Sequence, residues 1–283
     1  MLTRRTFIKS TVLLGSCSFA GFVPPPPKKI QTGACDWSLG KSSDPDAFEL
    51  ARQIGLKGLM VNMGDSGNNL HLREPAIQEL YLRESKRTGV AISSVAVAVL
   101  NEVPYKSDPR TEQWVWDSVT VAKALGVKVV LLAFFSANDL RNDEAGKKEV
   151  IRRLKRVMPH AEKNGIILGI ESYLNADEHL EIIRQVGSSN LKVYYDFRNT
   201  ADAGYDTVKE FKKLGKDLVC ELHIKENGHL LGQGTLDWKA VMQAIRDTGY
   251  TGDGWMQIEG AIPEGADLVD SYKQNLHYLQ SIY

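Results

Sequence analysis

"VKVVLLAFF" (residues 127–135) is apolar at every position except Lys128. A run this short with no polar alternation reads as a strand covered on both faces, the pattern of a parallel sheet in an α/β protein. Parallel neighbours require crossover connections, usually helical. The flanking sequence supplies them. Upstream, "DPRTEQWVWDSVTVAKALG" (108–126) has a proline early and a glycine last, the punctuation of a helix. Downstream, a long charged helix spans roughly Ala145 to Asn164 and leads into "IILGIE" (166–171), another apolar run.

The same alternation extends to both ends. Towards the N-terminus, "IQTGACDW" (30–37), "LKGLMVNM" (56–63) and "VAISSVAVAVL" (90–100) read as strands. The helices between them run from Asp46 to Ile54 and over "EPAIQELYLRESKRTG" (74–89). Towards the C-terminus, "LKVYYD" (191–196), "LVCELHIK" (218–225) and "GWMQIE" (254–259) are strands. "ADEHLEIIRQVG" (176–187), "GYDTVKEFKKLG" (204–215), "DWKAVMQAIRDTG" (237–249) and "LVDSYKQNLHYLQSI" (268–282) are helices. Eight strand–helix units within residues 30–283 predict an α/β chain forming a single closed (β/α)8 TIM barrel rather than an open doubly wound sheet. No GxGxxG follows the first strand, so nothing supports dinucleotide binding.

The chain has 283 residues, 43% hydrophobic and 25% charged, with 35 Lys plus Arg against 35 Asp plus Glu. A net charge of zero leaves no electrostatic footprint for nucleic acid. The first 29 residues stand apart. "MLTRRTFIKSTVLLGSCSFAGF" has a basic start and a modest apolar stretch too short to span a membrane. Thr3-Arg4-Arg5-Thr6-Phe7-Ile8-Lys9 resembles the twin-arginine export signal, which predicts a cleavable leader, passage through the twin-arginine translocase and a periplasmic or exported protein. "LLGSC" also offers a lipoprotein reading at Cys17. Pro24–Pro27 reads as a stiff linker into the barrel. Cys35 and Cys220 lie in apolar strands, where buried thiols are usual; an oxidising compartment would permit a disulfide, which sequence cannot place.

Barrel enzymes carry their chemistry at the C-terminal ends of the strands. Glu171, Asp196, His223 and Glu259 end, or nearly end, strands five to eight, and are 25, 27 and 36 residues apart. Any one of them alone is explained by a helix cap or an ion pair. Four on consecutive strands make an oxygen-rich site for one divalent ion, with Mn²⁺ or Mg²⁺ favoured and Zn²⁺ or Co²⁺ also compatible.

"GIESYLNADEHLEIIRQVGSSNLKVYYDFRN", "LHIKENGHLLGQGTLDW" and "MQIEG" resemble the sugar phosphate isomerase/epimerase family, the xylose isomerase-like barrels of the AP endonuclease family 2 superfamily. The resemblance runs from "GACDW" to about residue 275. It implies one metal held by Glu171, Asp196, His223 and Glu259, with Glu171 and Glu259 as the acid/base pair. The chemistry fits that implication. Removing a proton beside a carbonyl leaves an enediolate whose oxygen needs a cation, and a second carboxylate on the other face returns the proton. Many sugar epimerases of this group carry His three residues after the metal Asp, where this chain has Asn199. Multi-zinc nuclease relatives need further His and Asp ligands that are missing here.

Weaker candidates for substrate contact are Asn199, Lys225, Trp37, His71 and His229. Lys225 shares a strand face with His223, and a rim ion pair with Glu226 is its alternative. Trp37 is either a stacking wall for a sugar or core packing. Trp114 or Trp116 packs inward from its helix. The reading is a metal-dependent isomerase or epimerase of an unphosphorylated sugar or keto-sugar, since phosphorylated metabolites stay in the cytoplasm. A lyase or hydratase acting on 3-keto-glycosides would use the same enolate. A non-catalytic periplasmic sugar-binding barrel is the alternative of another class. A small-molecule sugar is the expected partner, with no nucleic acid and no transmembrane segment. A homo-oligomer is compatible with this reading.

Overall fold

The computed structural model describes residues 30–251 and 254–283. Eight parallel strands pair in chain order and close on themselves: β1 (Gln31–Cys35), β2 (Gly58–Asn62), β3 (Ala91–Val97), β4 (Val129–Phe134), β5 (Ile167–Ser172), β6 (Leu191–Asp196), β7 (Val219–Ile224) and β8 (Trp255–Ile258). Closure comes from β8 pairing with β1 through Gln31↔Trp255 to Ala34↔Ile258. The stretch around Leu131 becomes β4, buried at all six positions. Its side chains divide by the period of two: Val129, Leu131 and Ala133 join Cys35, Met60, Ala96, Tyr194 and Cys220 in the lumen. Val130, Leu132 and Phe134 face the helical layer. Burying each such aliphatic side chain contributes about 1.5–3 kcal/mol.

The outer layer consists of α1 (Ala47–Ile54), α2 (Pro75–Thr88), α3 (Arg110–Leu125), α4 (Glu144–Asn164), α5 (Ala176–Val186), α6 (Phe197–Asp202), α7 (Thr207–Leu218), α8 (Trp238–Thr248) and α9 (Leu268–Ile282). The proline-first, glycine-last punctuation holds. Pro75 opens α2, and Gly89 and Gly126 close α2 and α3 in the left-handed conformation at φ 72° and 73°. Gly215, which the sequence marks as a helix end, interrupts α7 with φ 68° and ψ 179°. The six-residue α6 is absent from the sequence reading. Asp196 starts it, because its carboxylate accepts the Asn199 N–H as an N-cap.

The export signal, the Cys17 lipoprotein reading and the Pro24–Pro27 linker lie outside the described residues. Among the described residues no helix is long and apolar enough to cross a membrane. Cys35 and Cys220 are both buried and neither is in a disulfide. Trp114 packs inward, whereas Trp116 is 42% exposed and stacks on His160 with ring centroids 4.1 Å apart.

Candidate metal and catalytic centre

Strand register brings the four strand-end residues together. Asp196 on β6 is paired directly with His223 on β7. Glu171 lies near the end of β5, and Glu259 follows β8, its N–H bonded to the Ile224 carbonyl at 3.0 Å. One ligand atom from each of Glu171, Asp196, His223 and Glu259 lies within 4.8 Å of the others, an arrangement able to hold one metal ion. His223 Nδ1 is 2.8 Å from Glu171 Oε1, 3.5 Å from Glu259 Oε2 and 3.9 Å from Asp196 Oδ2. The donor set passes a second test of fit. Asp196 Oδ1 is used by the helix cap, while Oδ2 is buried with no hydrogen-bond partner. A buried carboxylate oxygen needs a cation; here the Lys225 ammonium at 3.4 Å supplies charge without a hydrogen bond, which leaves Oδ2 open to a metal ion. Asp196 is therefore both a cap and a candidate ligand.

Neighbouring groups hold the cluster's charges. Lys225 Nζ lies 3.1 Å from Glu259 Oε2 and 3.4 Å from Asp196 Oδ2. Its pair is with these carboxylates and not with Glu226, which corrects the alternative drawn from sequence. Glu226 is buried and turned to Arg198 at 3.5 Å, to the Trp238 indole N–H at 3.1 Å and to the Leu236 N–H at 3.0 Å. It pins the loop before α8, and a Cβ at Gly234 would strike the Glu226 carboxylate. Trp37 donates its indole N–H to Glu259 Oε1 at 2.7 Å, with its ring edge-on to His223 at 6.3 Å. It stands beside the cluster, half-buried and packed against the lumen core. Asn199 is buried and donates Nδ2–H to Glu171 Oε1 at 3.2 Å.

These contacts split the two glutamates. Burial raises the Glu171 carboxyl above its ordinary range; His223 works against this, and Glu259 and Asp196 add to it. For Glu259 burial acts in the same direction, but His223, Lys225 and the Trp37 N–H outweigh it and hold the carboxyl at about 2. Burial opposes charge on His223 as well, yet Glu171, Cys35 and Glu259 raise it well above the ordinary histidine value.

Two sequence candidates stand apart from this group. His71 sits in a short turn after β2 with its ring edge-on to Tyr81 of α2 at 5.8 Å, and its Nε2 is buried without a hydrogen-bond partner. His229 is exposed on the loop between β7 and α8.

Other residues of the site escape sequence reading. Tyr194, whose ring centroid lies 4.6 Å from that of His223, looks from sequence like one more apolar strand residue. Asp36 is fully buried, accepts the Asn62 N–H at 2.9 Å and the Ser43 N–H at 3.3 Å, and is pushed by burial up to about 7. The polar residue directly after an apolar strand is its one legible signal. Beside Glu171, His179 Nδ1 donates to the Asn175 carbonyl at 3.0 Å, which leaves Nε2 to accept from Ser172 Oγ at 2.9 Å. That pair fixes the loop leaving β5. At the other end of the barrel an apolar cleft of about 320 Å³ includes Ile30, Lys57, Met256 and Tyr283, and among the described residues its lining has no Asp, Glu or His.

A closed parallel barrel with three carboxylates and an imidazole at the ends of four consecutive strands defines a TIM barrel with a candidate metal centre. The chain belongs to the xylose isomerase-like TIM barrel family, whose model matches residues 48–282. It is 23% identical over 223 residues to 2-epi-5-epi-valiolone 7-phosphate 2-epimerase of Actinoplanes sp., covering 76% of this chain and 82% of that protein. It is 27% identical over 128 residues, 42% of each chain, to D-psicose 3-epimerase of Enterocloster bolteae. In fold it matches D-psicose 3-epimerase of Clostridium cellulolyticum H10, solved with D-tagatose, with a TM-score of 0.74 and 16% identity over 89% of this chain and 99% of that one.

Proposed function

We propose that this protein is a divalent-metal-dependent epimerase or isomerase of an unphosphorylated sugar or keto-sugar, with Mn²⁺ or Mg²⁺ as the favoured ion. The convergence of Glu171, Asp196, His223 and Glu259 at the rim carries the proposal, and its relatives include sugar epimerases. When bound, the ion would act as a Lewis acid toward the substrate's carbonyl oxygen. The chain's own part is proton transfer. One glutamate removes the proton beside the carbonyl and the other delivers a proton to the opposite face, with the roles exchanged in the reverse direction. Trp37 and Lys225 orient Glu259, and Asn199 orients Glu171. The exposed part of the Trp37 ring offers an apolar wall for a sugar face.

Charge supports the choice of an unphosphorylated substrate. Lys225 and Arg198, beside the cluster, are already engaged by carboxylates: Lys225 by Glu259 and Asp196, Arg198 by Asp202 and Glu226. A phosphoryl group would need free cations or a backbone cradle. Export by the twin-arginine route is part of the same proposal, because an exported enzyme meets free sugars.

The test is turnover of paired free and phosphorylated keto-sugars by Mn²⁺-loaded protein, with products followed by mass. Conversion of the free sugar at unchanged mass supports the proposal. Loss of a leaving group would establish the lyase reading, and preference for the phosphorylated partner would overturn the substrate class.

A further inference from the structure

Both ring nitrogens of His223 are occupied. Nδ1 faces the three carboxylates, so that edge is the one a cation would take. Nε2 faces the lumen, where Cys35 Sγ lies 3.3 Å away. An imidazole that offers Nδ1 to a metal must carry its proton on Nε2, and the partner of that N–H sets tautomer and ring orientation. Here the N–H is sealed from solvent, since His223 and Cys35 are both 0% exposed. A donor left unpaired in such a place is costly.

We propose that Cys35 is a positioning residue of the metal centre: its sulfur accepts the Nε2–H of His223 and so presents Nδ1 to a divalent ion. The contact crosses the lumen from β1 to β7 with β8 between them, so it is a product of barrel closure and not of strand pairing. Aromatic neighbours limit other ring orientations. The Tyr194 ring lies 4.6 Å from the imidazole centroid, and the Trp37 ring approaches at 6.3 Å. Cys35 Sγ lies on the Nε2 side of the ring, while the three carboxylates face Nδ1, so its place is that of an acceptor behind the ligand. Histidine ligands usually lean on a carboxylate, a carbonyl or water at their second nitrogen. A thiol sulfur is a weaker acceptor than any of these. It orients the ring while enriching it less.

This inference rests on the metal reading above, and its test separates the two. EDTA-stripped protein is titrated with Co²⁺ against a chromophoric chelator, and the visible bands of the Co²⁺ form are recorded. The parent is compared with Asp196→Asn, Cys35→Val, Cys35→Ala, Cys35→Ser and Cys220→Ala. Val keeps the bulk of Cys35 without an acceptor, and Ala serves the same purpose if a β-branched side chain is not accommodated. Cys220 is a second lumen thiol, bonded to the Val193 carbonyl, and controls for lost packing. The expected result is Co²⁺ affinity lower by about 10- to 100-fold in Cys35→Val or Cys35→Ala, with shifted bands. Cys35→Ser recovers most of that affinity, and Cys220→Ala keeps both affinity and bands. Parental affinity and bands in Cys35→Val or Cys35→Ala would overturn the inference, as would an equal loss in Cys220→Ala. A parent that binds no Co²⁺, or binding that Asp196→Asn leaves intact, would instead sink the metal centre itself.

Discussion

Lys225→Met removes a cation wedged between two of the candidate ligands, and the structure fixes the size of the effect. The ammonium is 3.1 Å from Glu259 Oε2 and 3.4 Å from Asp196 Oδ2. At an effective dielectric near 20 each attraction is worth roughly 5 kcal/mol before desolvation of the lysine is subtracted. Removing one partner of a buried ion pair costs about 3–5 kcal/mol. The side chains of Lys225 and Glu259 are 21% and 18% exposed, so partial screening favours the low end, about 3 kcal/mol. That penalty belongs to the metal-free protein, because a bound divalent ion would neutralise the same carboxylates. The thermodynamic cycle then requires the variant to bind metal more tightly by the same energy, about two decades in Kd. In EDTA its Tm should fall by roughly 6–12 °C. With saturating Mn²⁺ most of that difference should vanish. An equal fall in both conditions, or an unchanged Mn²⁺ affinity, would refute the assignment of Lys225 as a stand-in for the ion's charge.

Two further perturbations address the support around the site. Asn199→Ala deletes the amide that bonds Glu171 Oε1 at 3.2 Å, and about a tenfold fall in kcat is expected at little change in KM. Steady-state kinetics with a turned-over keto-sugar measure this, and parental kcat would show that Asn199 positions nothing. Burial lowers His179 to about 4 in the folded protein, below an unfolded value near 6.5. The native state therefore prefers the neutral ring: this contribution is complete above about pH 6.5 and is lost as pH falls towards 4, about 3 kcal/mol in all. Urea unfolding of His179→Gln against the parent should show the stability gap narrowing across that interval, and a gap independent of pH would contradict the assignment.

Most of the fold is legible because a barrel repeats one local device. Apolar runs such as that around Leu131, prolines at the starts of the early helices and glycines after most helices mark the units without long-range information. The ligand set is legible for a related reason: a carboxylate or imidazole ending an apolar strand conflicts with its surroundings, and four such conflicts one unit apart point to a shared rim. What the sequence hides depends on closure. Cys35 and His223 are 188 residues apart and meet only across the lumen, and the partner of Trp37 is 222 residues away. Glu226 draws Arg198 and the Trp238 indole rather than the adjacent Lys225, although both follow directly on β7. Asp196 shows that capping and ligation need not compete, since its two oxygens divide the tasks.

Deuterium exchange is the most direct test of a metal-assisted, two-carboxylate site. Unphosphorylated keto-sugars are incubated in D₂O with Mn²⁺-loaded protein, with EDTA-treated protein and with Glu259→Gln, and label beside the carbonyl is followed by NMR. The predicted result is label at the inverted carbon with the loaded protein, little with EDTA, and loss of inversion in Glu259→Gln. Inversion at the parental rate in Glu259→Gln, or in the presence of EDTA, would contradict the account.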